Sequence, residues 1–188
     1  MRGQRGVRLP RVGPARPYGI AGAALEAALR RTRLRAGVAL VYHRVDSPPS
    51  SPRESFDPRL DPALFRDQLA FLAARYRLVT ASELPGAVAT RERGGRFPVA
   101  VTFDDDLLSH VTDATPALHD ARAPATFFLN AASLERPFSF WWQRLQRAVE
   151  SGAAWPAPTA GARSVKEAGQ RVEALDPATR DDLAEGLL

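Results

Sequence analysis

The sequence contains no cysteine among its 188 residues. This absence excludes disulfide frameworks, zinc sites built from thiolates, and cysteine nucleophiles. Apolar runs of the roughly 18–20 residues needed to cross a bilayer are also missing, so we expect no integral membrane segment. The remaining composition, 45% hydrophobic and 25% charged, is typical of a folded domain and argues against a wholly disordered chain.

Lysine is almost absent too, because Lys166 is the one lysine among 26 basic residues. Residues 1–37 contain nine arginines and a single acidic residue, Glu26, which leaves a net charge of +8. Residues 38–188 carry a net charge of −3. We interpret 1–37 as a basic, flexible N-terminal arm and the heavy use of arginine as a coding bias, and we expect no nucleic-acid partner.

The arm does not contain a conventional export signal. Its apolar stretch from Ile20 to Leu29 is interrupted by Glu26 and followed by two arginines. No small-residue cleavage site follows cleanly. We therefore expect no signal peptide and favour a cytoplasmic location.

Four short apolar runs rich in β-branched and aromatic residues predict buried strands. Helical patterns separate these runs, and the first of them begins at Asp61-Pro62 with an acidic N-cap and a proline at the first helical position. Strands that alternate with helices predict right-handed βαβ units around a parallel sheet or barrel. The predicted strands are 38–42, 77–80, 99–103 and 125–129, and the predicted helices between them are 62–76, 82–89 and 115–121.

The pattern changes after residue 138. We expect 38–150 to form one domain and 151–188 to form a linker and a helical insertion. The predicted elements of this part are a helix from about 141 to 150, a Gly/Ala/Pro-rich linker over 152–162, and helices over 164–175 and from 176 onward.

Three consecutive carboxylates, Asp104, Asp105 and Asp106, follow the apolar strand 99–103 directly. Ligands of parallel α/β folds bind at the carboxyl ends of strands. One carboxylate of such a set can ligate a divalent metal, while its neighbour can act as a general base. Adjacent side chains of an extended chain point to opposite sides, so we expect the neighbours to take different roles. The alternative interpretation is an acidic turn that caps a helix.

Several motifs together resemble the first half of the NodB-homology polysaccharide deacetylases, carbohydrate esterase family four. The resemblance covers residues 38–150. It is carried by Val99-Ala-Val-Thr-Phe-Asp-Asp, Pro116-Ala-Leu and Ala123-Pro-Ala-Thr-Phe-Phe, with support from Leu40-Val-Tyr-His-Arg, Phe65-Arg-Asp-Gln-Leu-Ala-Phe-Leu, Tyr76-Arg-Leu-Val-Thr and Phe140-Trp-Trp.

This resemblance implies an α/β fold, namely an incomplete deformed (β/α) barrel with its first four strands and a C-terminal helical segment. It implies a hydrolase that removes N-acetyl groups from a carbohydrate with a divalent metal, often zinc. It places the general base on Asp104 and a metal ligand on Asp105. His43 is a candidate further ligand and His110, expected in a loop, a weaker one. The candidate substrate-binding residues are Asp106, Trp141 and Trp142.

The chain also departs from the family pattern. It has no histidine after His119, so the family's His-x-x-x-His ligand pair and its later motifs are absent. Asp106 stands where the family usually has glycine. We therefore expect the N-terminal part of a deacetylase, truncated within the helical insertion and inactive by itself. Its open barrel edge should favour self-association.

Two other functions remain open. The first is a degenerate, non-catalytic protein that binds carbohydrate or another partner. The second is a magnesium-dependent phosphohydrolase of the haloacid-dehalogenase type that uses Asp104 and Asp106. That motif normally opens its domain, whereas two strand–helix units precede it here.

Overall fold

A computed structural model describes residues 17–46, 59–130, 134, 139–151 and 157–186. The predicted linker at 152–162 therefore lies partly outside the described residues. The elements, in chain order, are α1 (Pro17–Arg30), β1 (Val38–Tyr42), β2 (Arg44–Val45), β3 (Arg59–Leu60), α2 (Pro62–Arg75), β4 (Arg77–Val79), α3 (Leu84–Ala89), β5 (Pro98–Phe103), a π-helical turn (His110–Ala114), α4 (Thr115–Ala121), β6 (Ala125–Phe127), α5 (Trp141–Glu150), a 3-10 turn (Ala157–Thr159), α6 (Val165–Glu173) and α7 (Pro177–Glu185).

The chain divides into two compact units that are each assembled from several stretches. The first unit comprises the described residues of Met1–Val41, Ala63–Thr102 and Ala117–Thr126. The second comprises those of Tyr42–Pro62, Phe103–Pro116 and Phe127–Leu188.

The main sheet is built from the four strands that the sequence predicts. β5 lies between β1 and β4, and β6 also pairs with β5. β4 and β5 run parallel, with Leu78 opposite Val99. All six residues of β5 are buried, as expected for a strand covered on both faces. The predicted α/β class is thus confirmed, and the strands of the described part of the chain do not close into a barrel.

Helix α2 has the apolar face that its sequence predicts. Phe65 and Leu69 are fully buried, and Leu72 is nearly so. Their spacing of three and four residues places them on one side of the helix. Tyr76 follows directly, and its hydroxyl group donates a hydrogen bond of 3.0 Å to Glu26 of α1.

Helix α1 was not predicted, and it occupies part of the segment that we interpreted as a flexible arm. Its C-terminal end is held by Arg91, which is only 7% exposed. The guanidinium group of Arg91 donates to the carbonyl oxygens of Leu34 at 2.6 Å and Arg30 at 3.2 Å. It also stacks over the ring of Phe97 at 3.8 Å. The residues from 17 to 30 are therefore an ordered helix, and residues 1–16 lie outside the described part.

The second unit contains the short parallel pair β2–β3, the π-helical turn and the three C-terminal helices. The predicted helix starts are confirmed there, since Ser164 accepts a hydrogen bond from the backbone N–H of Glu167 and Asp176 accepts one from that of Thr179. The hydrogen bonds from Thr179 also lower the pKa of Asp176. No helix in the described part of the chain combines the length and apolar character that a bilayer span requires.

We expect Arg91→Met to lower the free energy of unfolding by about 2–3 kcal/mol. The substitution leaves partly buried carbonyl oxygens without their charged donor, and hydrogen bonds to charged groups are worth about 1.5–3 kcal/mol. Urea unfolding followed by circular dichroism would measure the change. Arg93→Met, at an exposed position on the same connection, is the matched control and should change stability by less than about 0.5 kcal/mol. Equal effects of the two substitutions would show that Arg91 does not anchor α1.

Candidate functional site

The three predicted carboxylates emerge at the end of the buried strand β5. Asp105, the middle one, has a φ of 58° and so adopts the left-handed conformation. Few residues other than glycine do so, and aspartate is among the exceptions. The backbone therefore turns immediately after the strand instead of continuing in an extended form.

This turn brings both neighbouring carboxylates to one imidazole nitrogen. Nδ1 of His43 lies 3.1 Å from Oδ1 of Asp104 and 3.3 Å from Oδ2 of Asp105. Our expectation that the two side chains point to opposite sides is wrong, because it assumed an extended chain at Asp105. His43 follows β1 directly, and β1 is the sheet neighbour of β5. The candidate site thus forms where two adjacent strands end.

The three side chains differ in their access to solvent. The side chain of Asp104 is 50% exposed, that of His43 is 33% exposed, and that of Asp105 is 23% exposed. Asp104 is therefore the most open of the three to water or to a substrate. Asp105 and His43 are the more enclosed pair.

The donor atoms of this cluster suit a divalent metal. One ligand atom from each of His43, Asp104 and Asp105 lies within 4.8 Å of the other two. Zinc takes imidazole nitrogen and carboxylate oxygen at about 2.0–2.2 Å, so neighbouring ligands of a tetrahedral site are about 3.3 Å apart. The 3.3 Å between Nδ1 of His43 and Oδ2 of Asp105 matches that value, and the 3.1 Å between Nδ1 of His43 and Oδ1 of Asp104 is a hydrogen-bond distance. The residues present therefore fit part of a zinc site.

The structure gives His110 a different position from the one predicted. It begins the π-helical turn and is buried, with 4% exposure, instead of lying in a loop. Its Nε2 lies 2.5 Å from the backbone oxygen of His43. The sequence did contain a signal for this burial, because Leu107, His110 and Ala114 are spaced by three and four residues, as on one face of a helix. All three are buried in the structure. His119 is exposed on α4.

Asp106 contacts the segment that follows β6. Its two carboxylate oxygens accept the backbone N–H of Asn130 at 3.0 and 2.8 Å. This candidate substrate-binding residue therefore links the connection after β5 to the one after β6. Nothing in the sequence pattern identified Asn130 as its partner.

The two candidate tryptophans belong to an aromatic cluster beside His43. The ring of Trp142 stacks on Phe140 at 4.3 Å and meets Trp141 edge-on at 5.7 Å. The distance from the Trp142 ring to that of His43 is 6.1 Å. Trp141 also has the guanidinium group of Arg180 over its ring at 5.7 Å. Trp142 therefore adjoins the carboxylate cluster, while Trp141 lies one ring away.

Comparison with known proteins agrees with the resemblance found in the sequence. Residues 91–158 match the family model described as polysaccharide deacetylase. The match includes β5, the three carboxylates, α4, β6 and α5. It confirms the predicted resemblance over that stretch of the chain. No curated protein matches the sequence.

Solved structures with similar backbones include the Streptococcus pyogenes deacetylase PplD in complex with acetate, at 22% identity and a TM-score of 0.45. That match covers 63% of this chain and 53% of the other, so this chain spans about half of its length. A polysaccharide deacetylase from Bacillus cereus has 24% identity, a TM-score of 0.43, and coverage of 62% and 37%. IcaB from Ammonifex degensii has 22% identity, a TM-score of 0.43, and coverage of 80% for both chains.

The left-handed turn at Asp105 can be tested with a pair of substitutions that both remove the carboxylate. We expect Asp105→Ala to be less stable than Asp105→Gly by about 1 kcal/mol, because only alanine has a Cβ that clashes at positive φ. Urea unfolding in the presence of a chelator would measure the difference.

The same pair at Asp120, an exposed residue of helix α4, serves as the control. There the order should reverse, with alanine more stable than glycine by up to about 1 kcal/mol. If alanine were favoured at both positions, the left-handed turn would be refuted.

Proposed function

We propose that this chain, whose residues 91–158 match the polysaccharide deacetylase family, is built for metal-dependent hydrolysis of N-acetyl groups on a carbohydrate. The observation that carries the proposal is the convergence of Asp104 and Asp105 on Nδ1 of His43. Two carboxylates so close together need a cation or a donor between them. The ends of parallel strands are also where ligands of α/β folds bind.

In this proposal, Asp105 and His43 hold the divalent ion, and zinc is the first candidate. They are the more enclosed members of the cluster, and both offer atoms that zinc accepts. The ion would polarise the acetamide carbonyl group and make water more acidic. His43 must be deprotonated at Nδ1 to act as a ligand.

Asp104 is the proposed general base. Its half-exposed carboxylate can accept a proton from a water molecule while the water oxygen attacks the acetamide carbon. The C–N bond then breaks, the sugar nitrogen takes up the proton that Asp104 received from water, and acetate leaves. Adjacent residues can play these two roles because only one of them needs to stay accessible to water.

The carbohydrate would lie near the aromatic cluster. Trp142 adjoins His43, and indole rings offer flat apolar faces with a polar N–H group. Trp141 and Asp106 are the other proposed substrate contacts.

We further propose that the 188-residue chain by itself has little or no turnover. Its sequence contains no His-x-x-x-His pair, and catalytic zinc sites normally use three protein ligands besides water. The large exposed apolar residues of the second unit, among them Leu108, Phe128 and Leu129, are consistent with self-association.

The phosphohydrolase alternative receives less support. It requires Asp106 to act as an acid or base beside Asp104. Both oxygens of Asp106 accept the backbone N–H of Asn130, so that carboxylate already has a structural partner.

The division of roles predicts different effects on zinc affinity. We expect Asp105→Asn and His43→Ala to weaken zinc binding about tenfold or more, since even residues that only orient ligands contribute about 10–100-fold. Asp104→Asn should weaken it by less than about threefold, because a base need not touch the ion. Isothermal titration of the metal-free chain would measure the affinities, and Asp120→Asn is the exposed control. A loss in Asp104→Asn as large as that in Asp105→Asn would make Asp104 a ligand and refute its role as base.

The proposed lack of turnover has its own test. Purified chain with added zinc should release no acetate from N-acetylated oligosaccharides beyond the zinc-only blank. Robust release that disappears in Asp104→Asn would overturn the proposed inactivity while supporting the proposed chemistry.

A further inference from the structure

His110 is not a member of the candidate metal cluster, yet it holds one of the cluster's residues. Its imidazole is 4% exposed, and Nε2 lies 2.5 Å from the backbone oxygen of His43. A carbonyl oxygen can only accept a hydrogen bond, so Nε2 of His110 must carry the proton. The contact is therefore a donated bond from one histidine side chain to the main chain of the other.

The ring of His110 is itself fixed from several directions. It packs at 5.0 Å from the ring of Phe103 and at 5.8 Å from the ring of Phe127. The backbone N–H of His110 donates to the carbonyl group of Leu107 at 2.9 Å. Its own carbonyl oxygen accepts from the hydroxyl group of Thr115 at 2.7 Å. Because the ring of His110 is held in this way, its Nε2–H group can fix the position of the His43 backbone oxygen.

The bound residue, His43, lies between β1 and β2 and outside both strands. Its side chain reaches the two carboxylates through Nδ1, and its backbone oxygen receives the bond from His110. A shift of the His43 backbone would move the imidazole away from one or both carboxylates. Hydrogen bonds from outside a metal cluster commonly orient its ligands.

We propose that His110 is a positioning residue, whose Nε2–H bond to the His43 carbonyl group directs Nδ1 of His43 toward Asp104 and Asp105. The inference deepens the proposed function and rests on His43 belonging to that site. An apolar residue would fill the space beside the stacked phenylalanine rings without desolvating a polar group. The buried imidazole therefore has a purpose that packing alone does not supply.

Two substitutions separate the hydrogen bond from the packing. His110→Phe keeps a flat ring but removes the donor, whereas His110→Gln places an amide N–H group at a similar distance from the backbone. His119→Phe, at an exposed site on α4, is the matched control. Circular dichroism melting identifies any variant that fails to fold.

The first readout needs no metal. Long-range ¹H–¹⁵N correlation spectra of the imidazole groups, assigned with a His43→Ala sample, report the hydrogen bonding of His43 in the metal-free chain. We expect the His43 nitrogen signals to shift in His110→Phe, to return close to their original positions in His110→Gln, and to stay unchanged in His119→Phe. Unchanged His43 signals in folded His110→Phe, or no return in folded His110→Gln, would overturn the inference.

The second readout is zinc affinity by isothermal titration. We expect about tenfold weaker binding in His110→Phe and recovery to within about threefold in His110→Gln. If the original chain does not bind zinc, the proposed ligand roles of His43 and Asp105 fail, and the metal-free spectra still decide whether His110 positions His43.

Discussion

Two negative side chains on adjacent residues converge on a single imidazole nitrogen, and the candidate site depends on this contact. It exists because Asp105 adopts a left-handed conformation directly after β5. An extended continuation would separate the carboxylates, and only one of them would reach His43. Aspartate tolerates the left-handed region better than most residues, so one side chain supplies both the turn and a negative charge.

The connection after β5 joins the ends of the neighbouring strands. Asp104 and Asp105 contact His43, which follows β1, and Asp106 binds the backbone of Asn130, which follows β6. Phe103, the last residue of β5, stacks on Phe127 of β6 at 4.7 Å. The end of β5 is thereby tied to the ends of β1 and β6 by side chains as well as by the sheet. The carboxylates that follow β5 therefore keep their spacing, because these contacts hold the backbone that carries them.

Sequence patterns predicted the regular elements well, because burial imposes a period on the chain. The β-branched run at 99–103 predicts a buried strand. The spacing of Phe65 and Leu69 predicts a helix with one buried face, and both residues are buried. Helix α1 was missed because its alanines and glycines carry little amphipathic signal, and because the arginines around it suggested a tail. The two-residue strands β2 and β3 are too short to produce any period.

The site was harder to predict than the fold, for a related physical reason. The sequence identified Asp104, Asp105 and His43 as candidates by their positions after strands. It could not reveal the left-handed turn at Asp105, since the backbone angle of a single residue leaves no pattern. It also treated His110 as a loop residue, although a π-helical turn buries it against aromatic rings.

The number of donors limits what these residues can do together. If Asp104 stays free to accept a proton, only His43 and Asp105 remain as ligands, and two ligands hold zinc poorly. If Asp104 also binds the ion, three ligands are present but the neighbouring base is lost. Under the proposed function, the cluster can favour ion binding or proton transfer, but it cannot supply both fully from three side chains. A complete hydrolytic centre needs donors beyond these three, and the sequence offers no His-x-x-x-His pair to provide them. Whether Asp104, the most exposed of the three, binds the ion or stays open to water decides between the two outcomes.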